Sequence, residues 1–192
     1  SVFVTRANLA RSVTETEFQV YIVYAQWGWL KAGLDYSLVY NPLAFPDTLD
    51  FEASNVIPWV RYAQLNATIP LAEWDEDAGF YWAMGLEDAP PDVTLPVGVV
   101  DANAPARLPT LASKFIYKTD ATRLECAGIY RRLDAQGVGY RSVVDGWGMW
   151  LSGRVPCRGK NNVVFGFVTG QGLGAYAEDT QGLGLDAAPR SA

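Results

Sequence analysis

The sequence predicts an all-β protein, an antiparallel up-and-down transmembrane β-barrel with about nine strands visible as part of a larger barrel. Three observations support this. Apolar residues recur at every second position with no helical stripe, the connections alternate short and long, and aromatic residues gather near the strand ends.

The strand-like segments run, in order, roughly over residues 3–9, 17–26, 29–37, 57–68, 80–87, 110–117, 123–133, 146–155 and 163–169. Successive side chains of a strand point to opposite faces, so each segment can be sorted into two sets. Phe18, Val20, Ile22 and Tyr24 share one face, with Gln19 and Tyr21 on the other. Next, Leu30, Ala32, Leu34 and Tyr36 oppose Lys31, Gly33, Asp35 and Ser37. Phe80, Trp82, Met84 and Leu86 form an apolar face opposite Tyr81, Gly85 and Glu87. In the eighth segment Trp147, Met149, Leu151 and Val155 oppose Gly148, Ser152 and Arg154, with Trp150 as the misfit. The ninth sets Val164, Gly166 and Val168 against Phe165, Phe167 and Thr169.

From the second strand on, the expected connections are "WG" (tight), residues 38–56 (long), "PLAEWDEDA" (shorter), 88–109 (long), "KTDA" (tight), 134–145 (medium) and "PCRGKN" (short). Turns at one end and loops at the other are the layout of an outer-membrane barrel. A soluble sandwich would also give period two, burying the apolar face against a second sheet. Trp27, Trp29, Trp59, Trp74, Tyr117 and Trp147, placed as interfacial girdles, favour the membrane.

Composition excludes several classes. The 192 residues carry 15 basic and 21 acidic side chains, net charge -6, so no basic surplus exists to neutralise nucleic-acid phosphates. Histidine is absent, which removes Ser-His and Cys-His nucleophile pairs and histidine metal ligands. "GQGLGAY" follows a strand but no helix follows it, unlike a phosphate loop. Asp75 and Glu76 lie among acidic neighbours in a turn, where solvation explains them. No enzyme and no cofactor is therefore expected. No apolar run of about 18 residues occurs, so no transmembrane helix is expected.

The motifs resemble one known family. "GWGMWLSGRV" with "VVFGFVTGQGLGAY" and "DTQGLGLDA" is similar to a hairpin of the DcaP-like outer-membrane porins. "VYAQWGWLKAGLDYS", "FPDTLDFEASN", "VRYAQLNAT", "LPTLASKFIY" and "AGIYRRL" resemble further pieces in the same order, spread over most of residues 19–187. The resemblance implies a homotrimeric, sixteen-stranded passive channel of the bacterial outer membrane. Its surroundings would be membrane lipid and lipopolysaccharide, and its solutes small polar or anionic molecules such as carboxylic acids. The alternative is a non-transporting β-rich structural or binding module of the cell envelope. The chain departs from the family where Gln19 and Tyr21 replace an arginine ladder on the second strand. An odd strand count cannot close an antiparallel barrel of the usual even kind, so residues 1–192 read as a single barrel domain incomplete at both ends, its wall completed either by a longer chain or by other copies.

The basic strand residues are Arg61, Lys114, Arg131, Arg132 and Arg154. Parity places Lys114, Arg131 and Arg154 opposite the apolar face, as candidate pore-lining cations; the bland reading of all five is snorkelling near strand ends. Asp35 joins the pore-lining candidates. So do Asp47, Asp50 and Glu52 in the long loop, which in the resembled family folds in as a constriction; otherwise they are solvated loop acids. Cys126 and Cys157, assigned to neighbouring strands toward the short-turn end, are a candidate disulfide if that end faces an oxidising periplasm.

Overall fold

A computed structural model describes residues 2–11, 16–44, 58–75, 78–95, 97–98, 100–177, 183 and 185–187. Nine strands form one sheet in chain order: β1 (Val2–Arg11), β2 (Thr16–Trp27), β3 (Leu30–Tyr36), β4 (Arg61–Asp75), β5 (Ala78–Glu87), β6 (Thr110–Lys118), β7 (Arg123–Gly137), β8 (Tyr140–Pro156) and β9 (Asn162–Gln171). Every neighbouring pair is antiparallel, and β1 and β9 are the two open edges. Two short 3-10 turns, Pro42–Ala44 and Gly174–Tyr176, are the helical elements among the described residues. No helix among them is long and apolar enough to cross a membrane.

Local chemistry explains where the strands begin and end. The β2–β3 hairpin turns on Gly28 and Trp29, with Gly28 at φ 58°, a left-handed conformation that a Cβ would strain. β4 runs on through Pro70 to Asp75, beyond the end expected from sequence. The ladder shifts register between Pro70 and Ala72 and again between Glu73 and Asp75, and a proline fits at such a bulge. The segment expected as a medium loop after β7 is instead paired. Leu133 faces Val144, Ala135 faces Ser142, and a turn at Val138 and Gly139 closes the hairpin.

One expected face is broken by a bulge. Between Arg6–Ile22 and Ala7–Val20 the register of β1 and β2 slips by one residue, leaving Tyr21 over. Val20 and Ile22 therefore separate: Ile22 is 4% exposed and Val20 42%.

Elsewhere the two faces are distinct. On one, which is bare, lie Leu65, Phe80, Leu86, Leu111, Phe115, Met149, Leu151 and Phe167, all exposed. At its short-turn end Trp74, Phe80 and Tyr117 form an aromatic cluster with ring centroids 5.0–5.9 Å apart. Toward the loop end of the same face stand Tyr130 and Trp147, cross-strand partners on β7 and β8.

The other face is covered by the chain itself. Leu38 and Val39 from the loop after β3, and Ala175 and Tyr176 from the segment after β9, pack on it with Tyr62, Ala83, Ala112, Ala127, Ile129 and Trp150. This accounts for Trp150, which breaks the polar pattern of its face because it lies under these segments at 5% exposure.

The candidate disulfide is not formed. Cys126 and Cys157 are free and exposed. Cys126 faces Leu151 on β8, and Cys157 lies beyond the end of that strand. At about 3.3 Å per residue the two are roughly 20 Å apart along the strand, far outside disulfide reach. Alkylation of the unfolded protein without reductant should therefore add two labels per chain, and the same two after reduction. A label count that rises on reduction would show a disulfide that this register forbids.

Candidate functional site: the covered face and its inward-folded segments

Residues 37–44 lie on the covered face and are held by polar contacts from β5, β6 and β8. The Glu87 carboxylate, at the loop end of β5, accepts from Leu38 N at 2.5 Å, from Ser37 Oγ at 3.0 and 3.1 Å, and from Tyr176 Oη at 2.8 Å. One buried carboxylate thus ties both covering segments to the wall. Burial, with the Glu87 charge adding to it, pushes the Tyr176 phenol well above its ordinary pKa, so it stays a donor. Lys114 donates to Tyr40 O at 3.1 Å, and Asn41 Nδ2 donates to Ser152 Oγ at 3.1 Å.

The second covering segment is pinned by Arg131. Its guanidinium donates to Asp186 Oδ2 at 2.9 Å, Ala89 O at 3.1 Å, Pro90 O at 2.9 Å and Gly172 O at 3.4 Å. Asp186 also accepts from Asp92 N at 2.7 Å and Ala175 N at 3.2 Å. Burial raises the Asp186 carboxyl pKa, against the pull of Arg131 and these backbone donors. Tyr62 Oη donates to Ala175 O. A single arginine therefore gathers the loop after β5 and the segment after β9.

The sequence candidates divide into groups. Lys114 and Arg131 lie on the covered face, but both are buried and ion-paired beneath the covering segments, Lys114 with Glu125 Oε2 at 2.9 Å. Asp35, on the same face of β3, accepts Lys31 Nζ at 2.7 Å and Tyr36 N at 2.8 Å. Arg61 stacks on the Tyr21 ring at 3.6 Å. Arg132 is exposed, on the face of β7 that also presents Tyr130 and Cys126. Asp47, Asp50 and Glu52 lie outside the described residues.

Arg154, among the described candidates of the covered face, borders a cavity. The cavity, of about 620 Å³, lies at the short-turn end, with Leu43, Lys118, Thr119, Thr122, Arg123 and Asn162 among its lining residues. Reading the sequence missed Arg123, because it opens its strand next to a turn, and Glu125, which accepts from Arg123 Nε at 2.5 Å as well as pairing with Lys114. Parity held the signal: Arg123, Glu125, Ala127, Ile129 and Arg131 are spaced by two along β7.

These features together define a nine-stranded, unclosed stretch of a porin-type β-barrel wall, with one apolar face and one face lined by polar groups and its own loops. A solved structure shares the fold. The outer membrane channel DcaP of Acinetobacter baumannii superposes with a TM-score of 0.71 at 14% identity, over 90% of this chain. The chain spans 48% of that channel's length. No protein-family model and no curated protein matches the sequence.

Glu87→Ala leaves three donors without their acceptor, and we expect a loss on the order of 3 kcal/mol. Hydrogen exchange at Leu38 N should then accelerate by about tenfold or more, since that amide bonds directly to the carboxylate. An unchanged Leu38 exchange rate would refute the role given to Glu87.

Proposed function

We propose that this chain forms part of the wall of an outer-membrane pore, a passive diffusion channel for small polar or anionic solutes such as carboxylic acids. The observation that supports it best is the division of one sheet into two surfaces. The bare face offers lipid an apolar band between aromatic clusters, and the covered face places an open basic cavity beside inward-folded chain. The fold shared with an outer membrane channel supports the same reading.

In this reading the short turns face the periplasm and the long loops the cell exterior, as in bacterial barrels. The barrel is completed by further strands, assembles as a homotrimer, and contacts membrane lipid and lipopolysaccharide. Arg123 and Arg154 supply positive charge to the path, and the acids Asp47, Asp50 and Glu52 of the sequence after β3 supply negative charge to it. Charges of both signs along a path orient polar solutes and disfavour apolar ones. Lys114 and Arg131 serve the path indirectly, by fixing the segments that narrow it.

Two experiments test this. Leu151→Arg, mid-strand on the bare face, should cost about 2–4 kcal/mol for unfolding from lipid vesicles, whereas Val138→Arg at the exposed hairpin tip should stay within about 0.5 kcal/mol. Equal costs would remove the lipid from this face. In planar bilayers, Arg123→Gln with Arg154→Gln should shift the reversal potential toward cation preference, and neutralising Asp47, Asp50 and Glu52 should shift it the opposite way. A complete assembly that conducts no ions would instead favour the non-transporting envelope module.

A further inference from the structure

Three side chains meet on the bare face where β3 and β4 reach their loop ends. Arg61 is the cross-strand partner of Tyr36, and Tyr21 stands two residues before Val23, which faces Leu34 on β3. All three therefore share the face that carries Leu34, Ala63 and Leu65. Tyr36 is the hub. Its ring centroid lies 4.9 Å from that of Tyr40, 6.4 Å from Trp59 and 6.3 Å from Tyr21, and its hydroxyl is 3.1 Å from the Tyr21 hydroxyl. These rings are a loop-end counterpart to the cluster of Trp74, Phe80 and Tyr117.

Arg61 and Trp74 lie near the two ends of β4. At about 3.3 Å per residue and a strand tilt near 40°, they stand roughly 30 Å apart along the membrane normal. The apolar band of a barrel wall is about 25 Å tall. Both ends of this span therefore fall at the level of lipid headgroups, and Arg61 belongs to the leaflet on the loop side.

The geometry of Arg61 suits an anion. Its guanidinium carbon sits 3.6 Å from the centre of the Tyr21 ring. Stacking of this kind uses the flat face of the group and leaves its N–H fork directed outward in the guanidinium plane. No ion pair or hydrogen bond joins Arg61 to another described residue. A guanidinium fork matches the paired oxygens of a phosphate and binds them through charge-assisted hydrogen bonds.

We propose that Arg61, stacked on Tyr21 and flanked by Tyr36, Tyr40 and Trp59, is a docking site for the phosphate of an anionic lipid headgroup in the loop-side leaflet, a phosphorylated glycolipid. Charge complementarity selects the phosphate, and the depth of the site selects a lipid over a free ion. The ring cluster meets the apolar part of the same molecule. The inference rests on the lipid-facing reading of the bare face and names the lipid contact that reading requires.

The experiment is native mass spectrometry of the complete, detergent-solubilised protein titrated with bisphosphorylated lipid A. The dephosphorylated lipid is the second probe and inorganic phosphate the competitor. Wild type should bind the bisphosphorylated form saturably and about tenfold more tightly than the dephosphorylated one. Arg61→Gln should weaken the tightest adduct by about tenfold, the loss of a charge-assisted contact. Arg61→Lys, which keeps the charge without the fork, should fall between the two. Tyr21→Leu keeps the cation but removes its platform, and should weaken binding by about threefold. Arg158→Gln, in the exposed turn after β8 at the other end of the sheet, should bind as wild type does. Circular dichroism checks the fold of each variant, and the comparison of two lipids on the wild type needs no variant. Equal affinity of the two lipids, or of Arg61→Gln and wild type, would overturn the proposal, as would displacement of the lipid by inorganic phosphate. Failure here with the cost of Leu151→Arg retained in vesicles removes the site and leaves the lipid face; equal costs in vesicles with phosphate-dependent binding retained do the reverse.

Discussion

An antiparallel ladder gives each strand residue one of two surfaces, and a single sheet this wide has no second sheet to take its apolar side. That constraint governs the rest of the molecule. Leu65, Leu111, Phe115, Leu151 and Phe167 occupy the side that none of the described residues covers. Their alternates, among them Gln64, Asn66, Glu87, Lys114, Glu125 and Arg131, are buried on the opposite side. A water-soluble sheet would be arranged the other way, with its apolar side packed and its polar side wet. The inversion is what a wall between lipid and a polar interior requires.

Burying so many polar groups is costly unless each finds a partner. The chain meets this with backbone brought in from its own loops. Glu87 takes three donors from two segments that lie far apart in sequence, and Arg131 gives its protons to Asp186 and to three carbonyl groups. The covering segments in turn supply the apolar atoms, Leu38, Val39 and Tyr176, that let Trp150 and Ile129 sit on an otherwise polar face. Lys114 and Arg131 are thus tied to architecture. Arg123 and Arg154 are different, since they line the cavity.

Much of this was legible in the sequence. All nine strands were, because alternation and turn residues are local signals, and so was the face on which Lys114, Arg131 and Arg154 lie. What failed to show depended on events that parity cannot register. A single bulge at Tyr21 moved Val20 and Ile22 apart, and bulges around Pro70 let a strand continue where a proline suggested its end. The disulfide candidates shared an end of the sheet but not a register position. The partners of Arg131 and Glu87 were hidden for another reason. Asp186 and Tyr176 come from a stretch without periodicity, and only tertiary packing brings them to the strands.

The central claim is that β8 separates two media, and residue-by-residue accessibility measures it directly. Single cysteines placed at Trp147 to Arg154 in a background without Cys126 and Cys157, spin-labelled in lipid vesicles, can be probed with oxygen and with a water-soluble nickel complex. The account predicts a period of two. Labels at 147, 149 and 151 should relax with oxygen, and those at 150, 152 and 154 should not, with the nickel complex reaching 154 in the cavity. Nickel relaxation at 149 and 151 as strong as at 154 would put both faces in water and contradict it.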